Sequence, residues 1–130
     1  TRQSALLRSL VGSEMCIRDR LYVDSMDESN PDKVKQAFHH NAKVVGYLHG
    51  DFMEMSVDDF AGFVSSQQPS PKEKGEDVVF EILASEVEGT TAMVKVRDTY
   101  LGITFLDTLS FMKVEEGWKI YTKLFNVEGE

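Results

Sequence analysis

One cysteine occurs among the 130 residues, Cys16, and it lies in an N-terminal stretch unlike the rest of the chain. Beyond that stretch there is no disulfide, no thiolate nucleophile and no sulfur ligand for a metal. The three histidines, His39, His40 and His49, with Asp51 nearby, fall into none of the spacings that zinc or iron sites use, so neither a metal nor another cofactor is expected. No apolar run approaches the roughly 18 residues that cross a bilayer. The chain also has no internal repeat.

Basic charge is scarce, and more so once the N-terminus is set aside. Residues 10–20, LVGSEMCIRDR, read as the translation of a sequencing adapter, and TRQSALLRS before them has no clear relation to the remainder of the chain. Residues 1–20 are therefore expected to be a non-native segment and 21–130 a single domain. The alternative is a genuine amphipathic helix, because Leu6, Leu7, Leu10, Val11 and Met15 fall near helical spacing. Arg2, Arg8, Arg18 and Arg20 are four of the chain's 14 basic residues, and Glu14 and Asp19 two of its 22 acidic ones, so the body keeps ten against twenty and a formal charge of -10. That balance argues against nucleic acid and anionic membranes as partners. A cytoplasmic location is expected, with export left open because the native N-terminus is expected to be missing.

What is present is a helix-rich first half and a strand-rich second half. LYVDSM carries Leu21, Tyr22 and Met26 on one helical face. Asn30 followed by Pro31 predicts an N-cap, Val34, Ala37 and Phe38 an apolar stripe, and Asn41 the helix end, which places His39 and His40 in the last turn. AKVVGYLHGDFMEMS predicts a hairpin turning at His49 and Gly50, with Val45, Tyr47 and Phe52 on its inner face. Ser56 and Asp59 match a capping box ahead of a helix that buries Val57, Phe60, Phe63 and Val64. The polar stretch QQPSPKEKGE, 67–76, is a loop, and strands run from about Asp77 to Asn126. Helix, helix, hairpin, helix and then antiparallel strands predict an α+β cone, a curved sheet wrapped around three N-terminal helices.

Two aspartates break the apolar pattern. Ala92, Val94, Val96, Asp98 and Tyr100 share one parity, as do Ile103, Phe105, Asp107, Leu109 and Phe111. With Leu101 and Gly102 as the turn, Val96 pairs with Asp107, and Asp98 and Asp107 become diagonal neighbours on the buried face. Two carboxylates so placed repel, so a cation, a shared proton or a ligand is required nearby. Lys123 is the favoured cation, although Trp118 and Ile120 set the opposite parity and a bulge is needed to turn it inward. A structural ion pair with Lys123 or Arg97 is the plainer reading.

Through AFHHNAKVVGYLHG, VKVRDTYLG, FLDTLSFMKVEEGWKI and TKLF, residues 21–130 resemble the nuclear transport factor 2-like superfamily, and within it the bacterial branch named putative lumazine-binding. The resemblance implies a pocket between sheet and helices, with Tyr22, His39, Tyr47, Asp98, Tyr100, Asp107, Trp118 and Lys123 as ligand-binding positions. It supplies no established catalytic set. Three roles remain as expectations. The first is binding of a planar, polar-edged heterocycle of pteridine type, whose ring N–H groups the aspartates would accept. The second is an isomerase- or dehydratase-like enzyme in which Asp98 is the general base and Tyr22 or Tyr47 donates to an oxyanion, with covalent catalysis not expected. The third is a homodimeric module joined through Met93, Leu106, Met112 and Tyr121 on the convex face.

Overall fold

The computed structural model describes residues 20–129. The expectation of a non-native segment therefore lies, apart from Arg20, outside the described residues. Helix α1 occupies residues 20–27 and buries Tyr22, Val23 and Met26. Helix α2 (Pro31–Ala37) starts where predicted, with the Asn30 side chain accepting from the backbone N–H groups of Asp32 at 3.0 Å and Lys33 at 3.2 Å. Helix α3 (Val57–Ser66) opens on the capping box of Ser56 and Asp59. A single turn, α4 (Pro71–Lys74), interrupts the stretch expected to be loop, and Ser70 caps it.

The strands are β1 (Phe38–Leu48), β2 (Asp51–Ser56), β3 (Val79–Glu88), β4 (Thr91–Tyr100), β5 (Ile103–Val114) and β6 (Gly117–Val127). They form one six-stranded sheet in the order β2-β1-β6-β5-β4-β3. Neighbours run antiparallel except β1 and β6, which are parallel. The sheet curves around the helices, and Val34, Phe60, Val64, Val94, Leu109, Phe111, Trp118 and Ile120 meet in the core between them. Burying this apolar surface is the main driving force for the fold, at about 25 cal/mol per Å² removed from water. Among the described residues no helix is long and apolar enough to cross a membrane.

The β4–β5 register is the one the alternation predicts. Tyr100 faces Ile103, Val96 faces Asp107, and Leu101 and Gly102 take the positive φ values, 53° and 76°, of a two-residue hairpin turn. In β6 one residue is surplus: Ser110 pairs with Thr122 but Phe111 with Ile120, so Tyr121 has no partner across the ladder. Such a bulge reverses the alternation beyond it. Trp118, Ile120 and Lys123 are thereby all buried, while Tyr121 and Leu124 are exposed. Met93, Leu106 and Met112 are half-buried on the outer face of the sheet.

Three expectations are corrected. The helix ends at Ala37, and Phe38 to Asn41 belong to β1, so neither histidine closes a helix and Asn41 caps nothing. Pairing of Phe38 with Ile120 of β6 draws the chain into the sheet, overriding the local helical stripe. On the β1–β2 hairpin the inward parity is Ala42 and Val44, whereas Tyr47 and Phe52 are 60% and 59% exposed and pack edge-to-face on each other. The reason is again the bulge. Val44 lies beside Lys123 in the β1–β6 ladder, so once Lys123 turns inward its partner does too, and Val45 and Tyr47 turn out. Phe63 is likewise exposed, at the rim of α3.

Gly46 sits between Met53 of β2 and Phe125 of β6, where a Cβ would run into the Phe125 carbonyl and ring. Gly46→Ala is expected to destabilise the fold by about 1–3 kcal/mol, as overpacking does. Urea denaturation measures it, and parental stability would show that β1 and β6 are not packed this closely.

Candidate functional site

Beneath α1, on the concave face, four polar side chains meet in the core. Asp98 from β4 and Asp107 from β5 are 1% and 0% exposed, and Lys123 from β6 is 6% exposed. The Tyr22 hydroxyl donates to Asp107 Oδ2 at 3.0 Å and lies 3.5 Å from Asp98 Oδ2. Lys123 Nζ stands 3.9 Å from Asp107 Oδ2, an ion pair too long to be a hydrogen bond. The ammonium is held over two ring faces, 4.8 Å from the Tyr22 centroid and 4.9 Å from that of Phe60. Arg97, the other cation considered for the pair, points outward and bridges Glu81 and Glu128.

Burial pushes the Asp98 carboxyl up to about 9, helped by hydrogen bonding to Asp107 and by repulsion from its charge, against the opposing pull of Lys123 and Tyr22. Asp98 is therefore protonated at neutral pH. The two carboxyls share that proton, while Lys123 balances the charge on Asp107. Asp98 Oδ1 and Asp107 Oδ1 are both buried without a hydrogen-bond partner. The Tyr22 phenol is held well above its usual range, chiefly by burial and then by the charges of Asp107 and Asp98. It stays a neutral donor.

Next to this cluster lies a hollow of about 130 Å³, between α3, the β1–β2 hairpin and strands β4 to β6. Phe60 and Phe63 of α3, Met53 and Met55 of β2, Ile103 and Phe105 of β5 and Phe125 of β6 line it. One member of the polar cluster, Lys123, reaches its wall, as does Tyr100, whose buried hydroxyl has no hydrogen-bond partner. The Tyr100 phenol is shifted upward by burial alone. Lys123 carries only donors, and a phenol such as that of Tyr100 can donate or accept. Asp98 and Asp107 are not in its wall.

The eight positions expected to bind a ligand therefore divide. Tyr100 and Lys123 line the hollow, while Tyr22, Asp98 and Asp107 form the polar cluster behind it. Trp118 is buried at the far end of β6 from Lys123, with an unpartnered indole N–H. His39 is outside the cone, stacked between His40 and Tyr121. Tyr47 faces solvent. The walls that sequence reasoning missed, Met53 and Met55, carried a signal: their spacing in FMEMS puts them on one face of a strand. An open groove of about 680 Å³ also crosses the outer face past Met93, Met112 and Tyr121, sharing no residue with the inner hollow. Among the described residues no three or more His, Cys, Asp or Glu are grouped to hold a metal.

Comparison with known proteins gives three kinds of match. A family described as "Putative lumazine-binding" matches residues 17–126. A solved NTF-2 like protein of unknown function from Silicibacter pomeroyi superposes with a TM-score of 0.79 at 21% identity, over 98% of this chain and 99% of that one. Another, from Methylobacillus flagellatus, gives 0.78 at 19% identity, over 90% and 91%. The chain is also 26% identical over 107 residues to "Aldolase FrzH" of a Cladobotryum species, covering 81% of this chain and 82% of that protein.

The proton on Asp98 sets a pH dependence. Between the ordinary carboxylate range, where Asp98 titrates in the unfolded chain, and about 9, where it titrates in the fold, the folded protein holds a proton that the unfolded chain releases. Rising pH in that window lowers stability. Asp98→Asn, neutral and of the same shape, is expected to melt higher than the parent near about pH 8 and to flatten the decline above about pH 5. Melting curves across this range check it. A lower melting temperature with the parental slope would show the carboxyl ionised in the fold.

Proposed function

The chain belongs to the putative lumazine-binding family, on the nuclear transport factor 2-like fold, and from this we propose that it binds a small uncharged compound in the hollow above Lys123. The observation that carries this reading is an apolar, aromatic-walled space with the cation Lys123 in its wall and Tyr100 beside it. Polar groups in such a place fix the orientation of a ligand, and apolar walls supply its contact area.

The donor character of Lys123 revises the ligand's expected polarity. A carbonyl or ring nitrogen acceptor fits the wall better than a ring N–H, because the aspartates that would receive the N–H lie behind it. Asp107 already neutralises Lys123, so the site has no net charge to offer an anion. A space of about 130 Å³ equals the liquid volume of about four waters. It admits one ring edge or the carbonyl end of a molecule, with the remainder of a pteridine-sized ligand outside it.

A second reading, chemistry at a carbon beside a carbonyl, is favoured by the likeness to a protein named an aldolase. In that reading Asp98, which carries a proton at neutral pH, acts as an acid rather than the base first expected. Its proton would pass by way of Asp107 and Lys123, since Asp98 does not face the hollow.

Lumazine, uncharged cyclic ketones and their carboxylated counterparts, screened by thermal shift, test the binding reading. An uncharged acceptor at 100 times its dissociation constant is expected to add about 2.7 kcal/mol of stability. The response should vanish in Ile103→Trp, which fills the hollow. Stabilisation by the carboxylated compounds alone, or by nothing in the screen, would count against it.

A further inference from the structure

Lys123 differs from the chain's surface lysines in almost every respect that governs amine reactivity. It is buried, it lines an apolar hollow, aromatic faces flank its Nζ, and its only charged neighbour within 4 Å among the described residues is Asp107. A lysine kept merely to neutralise a carboxylate would be expected to sit within hydrogen-bond distance of it. Here the gap is 3.9 Å, and the amine reaches the space where a ligand would lie.

We propose that Lys123 is a nucleophilic amine that forms an imine with a small aldehyde or ketone held in the hollow. The proposal rests on the binding reading and names the substrate class for that same site. It also supplies the nucleophile that the residues, read without the fold, gave no reason to expect.

The surrounding groups account for each proton. Closing the 3.9 Å gap between Lys123 Nζ and Asp107 Oδ2 to hydrogen-bond distance lets one ammonium proton pass to Asp107, which converts the ion pair into a neutral amine and a neutral acid. The amine lone pair attacks the carbonyl carbon, a C–N bond forms, and the carbonyl π electrons move to oxygen. A proton moves from nitrogen to that oxygen, giving the carbinolamine. Loss of the hydroxyl and the remaining nitrogen proton as water leaves the C=N bond. Asp107 then returns its proton to the imine nitrogen, so the cation is restored beside a carboxylate. Carbonyl and amine become imine and water, and no oxidant or reductant is needed. Tyr22 and Asp98 hold Asp107 in place and keep the second carboxyl neutral, so the cluster carries one negative charge for the one positive charge on nitrogen.

Butanal with sodium cyanoborohydride tests this on the full chain, because reduction fixes any imine as a stable secondary amine that peptide mass spectrometry locates. Labelling at Lys123 is expected to be at least about tenfold faster than at the exposed Lys72 and Lys95, as proximity in a bound complex requires. Lys123→Arg keeps a cation beside Asp107 and should melt close to the parent. It should show no label at position 123 and an unchanged rate at Lys72.

Thermal shift with butanal, without the reductant, separates binding from imine formation. If butanal stabilises the protein but Lys123 is labelled no faster than Lys72, the amine is a structural counter-ion and the imine proposal is overturned while the binding reading stands. If butanal neither stabilises nor labels selectively, both fall for carbonyl compounds of this size. Selective labelling that persists in Ile103→Trp would also overturn the proposal, since the hollow would then not be what presents the carbonyl.

Discussion

A charged carboxylate cannot be taken into a protein core without a partner, and in this protein the partner arrives through one surplus residue. Tyr121 interrupts the ladder between β5 and β6, and beyond it the alternation of β6 is reversed. Without that residue Lys123 would point to solvent, leaving Asp107 buried beside a second acid with no cation near it. Removing one member of a buried pair typically costs about 3–5 kcal/mol. The same reversal turns Val44 inward through the β1–β6 pairing, so the composition of the inner wall on both strands follows from a single backbone irregularity. Chemistry and core packing are thus set by the same feature.

The cluster is arranged so that charge is balanced in steps. Asp98 is neutralised by a proton, Asp107 by Lys123, and the Tyr22 hydroxyl ties α1 to both strands. Polar groups of this kind add little net stability compared with an apolar core of the same volume. What they do instead is line up a buried acid, a paired acid and a lysine that faces an apolar hollow. The hollow lies to one side of this row, and of its members only Lys123 reaches the wall.

Much of this is legible in the residues, and what is not has identifiable causes. The pairing of Val96 with Asp107 follows from counting because a two-residue turn at Leu101 and Gly102 admits one register. The caps at Asn30 and Ser56 are local signals and are found where the sequence puts them. The place of His39 is hidden because helix and strand compete over Phe38 to Asn41, and the winner is decided by β6, which lies about 80 residues further along the chain. That of Tyr47 is hidden because its parity depends on the turn of Lys123. The aspartates were expected in the wall of the pocket, yet facing inward is not the same as facing a void. Tyr22 covers them, and the empty space opens instead beside Phe60, Met53 and Phe125.

The parallel seam between β1 and β6 also bears on how the chain reaches its native state. Val44 of β1 pairs with Lys123 of β6, far along the chain, so during synthesis the β1 edge that β6 covers stays unpaired until β6 has left the ribosome. Contacts of such long sequence separation slow folding and expose strand edges to other chains in the meantime. Synthesis from the N-terminus therefore leaves the lysine and the neighbour it turns against among the last partners to meet, and a nascent chain paused before β6 would hold its acids without their counter-ion.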